Sequence, residues 1–203
     1  MQGKNKINKE KELIELAISQ GGYFTTKQAL KLGYSYRAQN YYLETQQWLK
    51  EDRALYRFSF LPFSKEDEFI KASFWSRDKK DIPQAVISHE SALLVHQVGE
   101  IIPDKISFTV PKSFRKKSPR KYLIYKADLV NKEFEKRDSF KVTNVIKTII
   151  DLAERIDPEQ LKKIIEDAYK KGLVNQHEIE LSASSSEIKR KLLSVFAQVR
   201  SKR

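Results

Sequence analysis

The chain has 203 residues, 40% of them hydrophobic and none of them cysteine. That is enough apolar content for one large or two small cored domains, with no thiol for disulfides, thiolate catalysis or thiolate metal sites. Lys and Arg number 39 against 27 Asp and Glu, a formal charge of +12, which points to an anionic partner.

The lack of cysteine fits a reducing compartment, so cytoplasm is the expected location. In "MQGKNKINKEKELIELAISQ" the acids Glu10, Glu12 and Glu15 interrupt any apolar run, so it does not read as a signal peptide, and no segment has the length and apolarity of a membrane span. The charge is patchy. Residues 105–126 hold eight basic and no acidic side chains, residues 184–203 hold six and one, and residues 61–104 and 127–183 are slightly acidic. Localised anion-binding surfaces fit this pattern better than general solubilisation does.

In chain order, the first 60 residues read as three short helices and a hairpin. Leu13, Ile14, Leu16, Ala17 and Ile18 form a helical stripe that stops at Gly21-Gly22. Thr25 or Thr26 caps a second helix, with Ala29, Leu30 and Leu32 buried and Gly33 as its stop. Ser35 then caps a third helix whose Ala38, Tyr41, Tyr42, Thr45, Trp48 and Leu49 follow helical spacing. Two helices joined by so tight a turn have the helix-turn-helix pattern. In "LKEDRALYRFSF" a polar turn at Glu51-Asp52 precedes alternating Leu55, Tyr56, Arg57 and Phe58, which predicts a β-ribbon wing.

Ser64 with Asp67 makes a capping-box pattern opening a linker helix to about Arg77. Strands are expected at "AVIS", "KISFTV", "YLIYKA" and "SFKV", with a helix at "HESALLVHQV". From Thr143, taken as a cap, Val145, Ile146, Ile149, Ile150, Leu152 and Ala153 predict a helix. Pro158 opens another that Gly172 ends, and after the soft "SASSS" the tail is an amphipathic basic helix. The expected architecture is α+β. A winged helix-turn-helix over residues 1–62 is followed by a linker over 63–84 and a mixed α/β domain over 85–203.

The third helix carries the most telling chemistry. With Ala38, Tyr42, Thr45 and Leu49 facing inward, Arg37, Asn40 and Glu44 form the opposite stripe, flanked in the first turn by Tyr36 and Gln39. Arginine reads guanine and asparagine or glutamine reads adenine in a major groove, so Tyr36, Arg37, Gln39 and Asn40 are the base-reading candidates. The bland alternative is an ordinary solvated face, and spacing leaves open which tyrosines are buried.

Arg53, Tyr56 and Arg57 on the wing, with Thr25, Thr26, Lys27 and Ser35 near helix starts, are candidates for gripping the DNA backbone. About six phosphate-bound cations predict a roughly thousandfold loss of affinity between about 50 and 200 mM salt. A further basic surface comprises Lys112, Arg115, Lys116, Lys117, Arg120 and Lys121 in one loop, and Lys189, Arg190 and Lys191 with Arg200, Lys202 and Arg203 in the tail. Each run contacts nucleic acid or is simply solvated.

Catalysis finds no footing in the residues. His89 and His96 are seven positions apart, where a zincin needs four, placing them two turns and about 10 Å apart along a helix. The acid-free run after Pro103-Asp104 removes the nearest partners for a nuclease of the PD…(D/E)xK kind, and no phosphate-binding glycine loop is present. A satisfied structural role is expected for His89, His96 and His177, and salt-bridged surface for Asp151 and Glu154. The chain reads as a non-enzyme with no metal and no cofactor.

The stretches "GGYFTTKQALKLGYS", "WLKEDRALYRF", "AVISHESALLVH", "KISFTVPKSFR" and "KVTNVIKTIIDLAERI" occur in the order in which the AbiEi-type antitoxins of bacterial type IV toxin–antitoxin (abortive infection) systems carry theirs. Over most of residues 20–175 the chain resembles that family. The resemblance implies an N-terminal winged helix-turn-helix on repeats in its own promoter and an α/β antitoxin domain. It also implies a functional partner, a nucleotidyltransferase-like toxin, opposed without a stable complex. Two departures stand out: Ala54 where the family's wing turn has glycine, and no glycine near Gln46 or Gln47. Two copies on an inverted repeat are expected. The competing expectation is an RNA-binding protein or nuclease in which residues 85–175 act and the winged helix is a tether.

Overall fold

Gly21 and Gly22 take φ of +72° and +95°, a left-handed turn that only glycine enters without strain, and this ends α1 (Gln2–Ile18). The computed structural model of the protein describes residues 2–183 and 185–200. It is a mixed α+β structure with one three-stranded and one five-stranded sheet, and its contacts divide it into two units, residues 1–74 and 75–203.

The first unit continues through β1 (Tyr23–Thr25), α2 (Thr26–Lys31), α3 (Tyr36–Glu44), β2 (Trp48–Asp52) and β3 (Leu55–Phe58) into α4 (Asp67–Ser76). The sheet order is β1-β3-β2, all antiparallel. β1 is an addition to the expected hairpin, because three residues are too few to display alternation. Leu13, Ala17, Phe24, Ala29, Tyr34, Trp48 and Phe58 form the core, with Phe24 edge-on to Trp48 at 4.7 Å.

The third helix is shorter than its apolar spacing predicts. Thr45 closes it, Gln46 turns left-handed at φ +55°, and Trp48 and Leu49 belong to β2. The capping box before α4 is half formed. Asp67 Oδ2 accepts from Ser64 N at 3.1 Å, while Ser64 Oγ accepts from Glu66 N at 3.1 Å.

The second unit contains β4 (Val86–Ile87), α5 (His89–His96), β5 (Ile106–Val110) and β6 (Tyr122–Lys126), then β7 (Phe134–Lys136), β8 (Lys141–Thr143) and α6 (Val145–Leu152). α7 (Pro158–Lys170), α8 (Gln176–Ser182) and α9 (Ser186–Arg200) complete it. The sheet runs β6-β5-β4-β8-β7, with β5 and β6 parallel. Parallel neighbours need a long crossover, usually a helix, but here the basic run 111–121 crosses without one. α6 to α9 bury a separate apolar cluster around Ile149, Leu161, Ile165, Leu192 and Phe196.

Two differences from expectation are local. Asn144, not Thr143, caps α6 by accepting from Lys147 N, because Thr143 is the last residue of β8 and its hydroxyl bonds Thr148 Oγ1 at 2.8 Å. α8 was unforeseen, although Asn175 and Glu178 form a capping box at its start. Among the described residues no helix is long and apolar enough to cross a membrane.

Candidate nucleic-acid interface

Local hydrogen bonding fixes the pair α2–α3. Thr25 Oγ1 accepts from Gln28 N at 3.2 Å and Gln28 Oε1 accepts from Thr25 N at 2.8 Å, a reciprocal capping box. Gly33 at φ +78° turns the chain, and Ser35 Oγ accepts from Ala38 N at 3.2 Å to start α3. Lys9 Nζ donates to the Gly33 carbonyl and lies 4.6 Å from the Tyr34 ring centre. Burial raises the Tyr34 phenol to about 12, with Tyr42 and Glu10 adding to the effect, so it stays a neutral part of the core.

On α3, Arg37, Asn40, Tyr41 and Glu44 are exposed, and Tyr36 is 65% exposed beside them. The expectation for Gln39 is corrected. It is 2% exposed and its Nε2 donates to the Tyr34 carbonyl at 2.9 Å, pinning the turn before α3 instead of facing outward. Tyr41, whose burial the spacing leaves open, is 57% exposed. It is the outward residue that sequence reading missed. The signal was there: positions 37, 40, 41 and 44 share one helical face, once the helix is taken to stop at Glu44.

The backbone-gripping set shrinks. Arg57 is fully buried, donating from Nη2 to the Leu61 and Pro62 carbonyls at 2.8 and 2.6 Å and facing the Phe63 ring at 3.8 Å. It lies on the central strand, both faces of which are covered, so it is a structural arginine and not a phosphate contact. Tyr56 is half-buried against Phe24, and its hydroxyl meets Thr26 Oγ1 at 3.2 Å. Thr26 N donates to Ala54 O at 3.1 Å, tying the hairpin turn to the start of α2. Thr25, Thr26, Ser35 and Tyr56 are therefore committed to internal bonds, while Lys27 and Arg53 are exposed. Lys50 on β2, opposite Tyr56, is a further exposed cation.

In the second unit, Lys112, Arg115, Lys117 and Arg120 are exposed and make no ion pair among the described residues. Lys121 is exposed with its ammonium 5.1 Å from the Tyr122 ring centre. Lys116 is exposed as well, but its ammonium is engaged within the unit. Its Nζ donates to the Trp75 and Arg77 carbonyls, each at 2.7 Å, closing the end of α4, and burial lowers its pKa against the opposing pull of Asp78. Lys191 is half-buried, and its Nζ donates to the Ala153 carbonyl at the end of α6. Lys171 does the same for Gln97 O, after α5. Lys189 is half-exposed and Arg190 and Arg200 are exposed, while Lys202 and Arg203 lie outside the described residues.

The histidines are held internally or stand alone. His89 is buried at φ +53°. Its Nδ1 is 2.9 Å from Ser88 Oγ, its ring stacks on Tyr125 at 3.5 Å, and burial, then Arg155 and Lys147, lowers its pKa to about 3. His96 Nε2 lies 2.7 Å from the Thr143 carbonyl. His177 is exposed. Among the described residues no three His, Asp or Glu side chains converge as a ligand set. Asp151 pairs with Lys147. A cleft of about 820 Å³ lies between Gly99–Ile101 and α7, where Asp167 accepts from Gly99 N at 2.8 Å and pairs with Lys171. No protein-family model matches the chain, and no curated protein matches it.

Proposed function

We propose that the protein is a sequence-specific DNA-binding antitoxin that represses its own operon. Residues 1–62 act as a winged helix-turn-helix, with α2 and α3 as the paired helices and β2–β3 as the wing. α3 enters the major groove, and Lys27, Lys50 and Arg53 hold the phosphates. The observation that carries this reading is the outward stripe Arg37, Asn40, Tyr41 and Glu44, directly opposite the buried Gln39 and half-buried Tyr42.

The antitoxin role is supported by the five segments that resemble AbiEi-type antitoxins. On that reading the protein acts in the bacterial cytoplasm as part of a phage-defence system. It binds repeats in its promoter as two copies, and it opposes a nucleotidyltransferase-like toxin without a stable complex.

A gel-shift titration with the upstream promoter fragment tests it. Arg37→Ala and Asn40→Ala each reduce discrimination between promoter and random duplex by about 1–3 kcal/mol, whereas Lys27→Ala weakens both alike. Equal losses in all three variants would mean that α3 reads no bases. Metal-dependent cleavage of nucleic acid by the purified protein would favour the RNA-binding or nuclease reading.

A further inference from the structure

We infer that Tyr41 is a specificity-determining residue that reads the C5-methyl group of a thymine in the major groove. The inference rests on the DNA-reading role proposed for α3. Residues 37, 40, 41 and 44 recur at i, i+3, i+4 and i+7, so they share one face of the helix, and all four are exposed. Arg37 and Asn40 supply hydrogen bonds matched to guanine and adenine, but neither recognises thymine. In the major groove thymine is distinguished by its methyl group, which asks for an apolar contact. Tyr41 is the one large apolar surface on the stripe, 57% exposed.

The ring is also braced. Tyr41 meets Tyr42 edge-on with centroids 5.7 Å apart and planes at 78°. Tyr42 stacks on Trp48 at 4.8 Å and 12°, and Trp48 is 2% exposed in the core. A chain of rings therefore runs from the core to the outward face. An aromatic side chain with few rotatable bonds, already supported along one edge, loses little entropy on docking. A solvated surface residue needs no such support.

The test starts from duplexes selected out of a random pool by the full-length protein. Each thymine of the enriched site is replaced in turn by deoxyuridine, which removes only the methyl group. At one thymine the wild-type protein binds about fourfold more weakly, equivalent to about 0.8 kcal/mol for one methyl-sized group taken out of water. Tyr41→Ala binds both duplexes alike, Tyr41→Phe keeps the fourfold difference, and both variants keep the parent's far-UV circular dichroism and a cooperative urea transition. In the unmutated protein, 5-iododeoxyuridine at that position photocrosslinks to Tyr41.

The assignment is overturned if no deoxyuridine replacement weakens binding, if Tyr41→Ala retains the difference, or if the crosslink lands elsewhere; the DNA-reading role of α3 then stands. If the pool yields no enriched sequence, that role fails and the inference falls with it.

Discussion

The buried guanidinium of Arg57 meets the carboxylate of Asp67 with Nη1 3.4 Å from Oδ2. It joins the central strand of the first sheet to the start of α4, and the Leu61 and Pro62 carbonyls occupy Nη2. Removing one member of such a pair leaves an uncompensated buried charge. Asp67→Ala is expected to destabilise the first unit by about 3–5 kcal/mol, read as a lower urea midpoint. Arg57→Lys, with Asp67 intact, is also expected to destabilise the unit, because one ammonium cannot reproduce the planar fork. A loss below about 1 kcal/mol for Asp67→Ala would show that the pair is not a structural strut.

Gln46 and Ala54 both sit in the left-handed region, at φ +55° and +59°. A non-glycine residue there is strained by about 1–2 kcal/mol, partly offset by the backbone entropy that glycine loses on folding. Gln46→Gly and Ala54→Gly are each expected to raise stability by about 0.5–1 kcal/mol in chemical denaturation. Gly22→Ala, at φ +95°, is expected to lower it. A destabilised Ala54→Gly variant would contradict the strain.

His89 makes stability depend on pH. Its folded pKa of about 3 lies below the unfolded value of about 6.5, so between these limits the unfolded chain binds the extra proton. Stability from this group is present above pH 6.5 and falls by up to about 1.4 kcal/mol per pH unit as pH drops towards 3. Asp151, raised chiefly by burial, opposes this in the carboxylate range, because its folded form takes up a proton first. Urea midpoints between pH 7 and 4.5 should fall steeply for the parent protein and less steeply for His89→Gln. Parallel curves would remove His89 as the cause.

Burial of Arg57 changes the expected salt response of DNA binding. If Lys27, Lys50 and Arg53 are the cations that hold phosphates in the first unit, three contacts predict a slope of log affinity against log salt of about −2.7. Affinity then falls about fortyfold between about 50 and 200 mM, not the roughly thousandfold that about six contacts give. Isothermal titration or anisotropy across that range measures the slope. A value steeper than about −5 would mean that further cations also touch the duplex.

What the sequence disclosed and what it hid have separate physical origins. The Ser35 cap, the Gly33 turn and the Pro158 start were legible because each rests on a few adjacent residues, whereas the hairpin turn expected at Glu51-Asp52 falls at Arg53-Ala54, because β2 runs on to Asp52. The inward face of α3 was misassigned because Thr45 and Leu49 extended the apparent helical period. Neither lies within α3. Without them the inward side centres on Gln39, Tyr42 and Leu43, and Tyr41 lies on the outward side. Arg57 was misread because β3 is central and buried on both faces, which erases the alternation that would have marked it. Distant carbonyls, such as those that receive Lys116 and Lys191, leave no trace in local sequence.

Lys9, Lys116, Lys171 and Lys191 each donate to a carbonyl at or just past the C-terminal end of a helix, where the backbone carries about half a negative charge. Amine-reactive footprinting would therefore find these four slow to label in the free protein, their reactivity following helix fraying and not occupancy by a ligand. They form a built-in reference set, against which protection at Lys27 or Lys50 can be attributed to a bound polyanion.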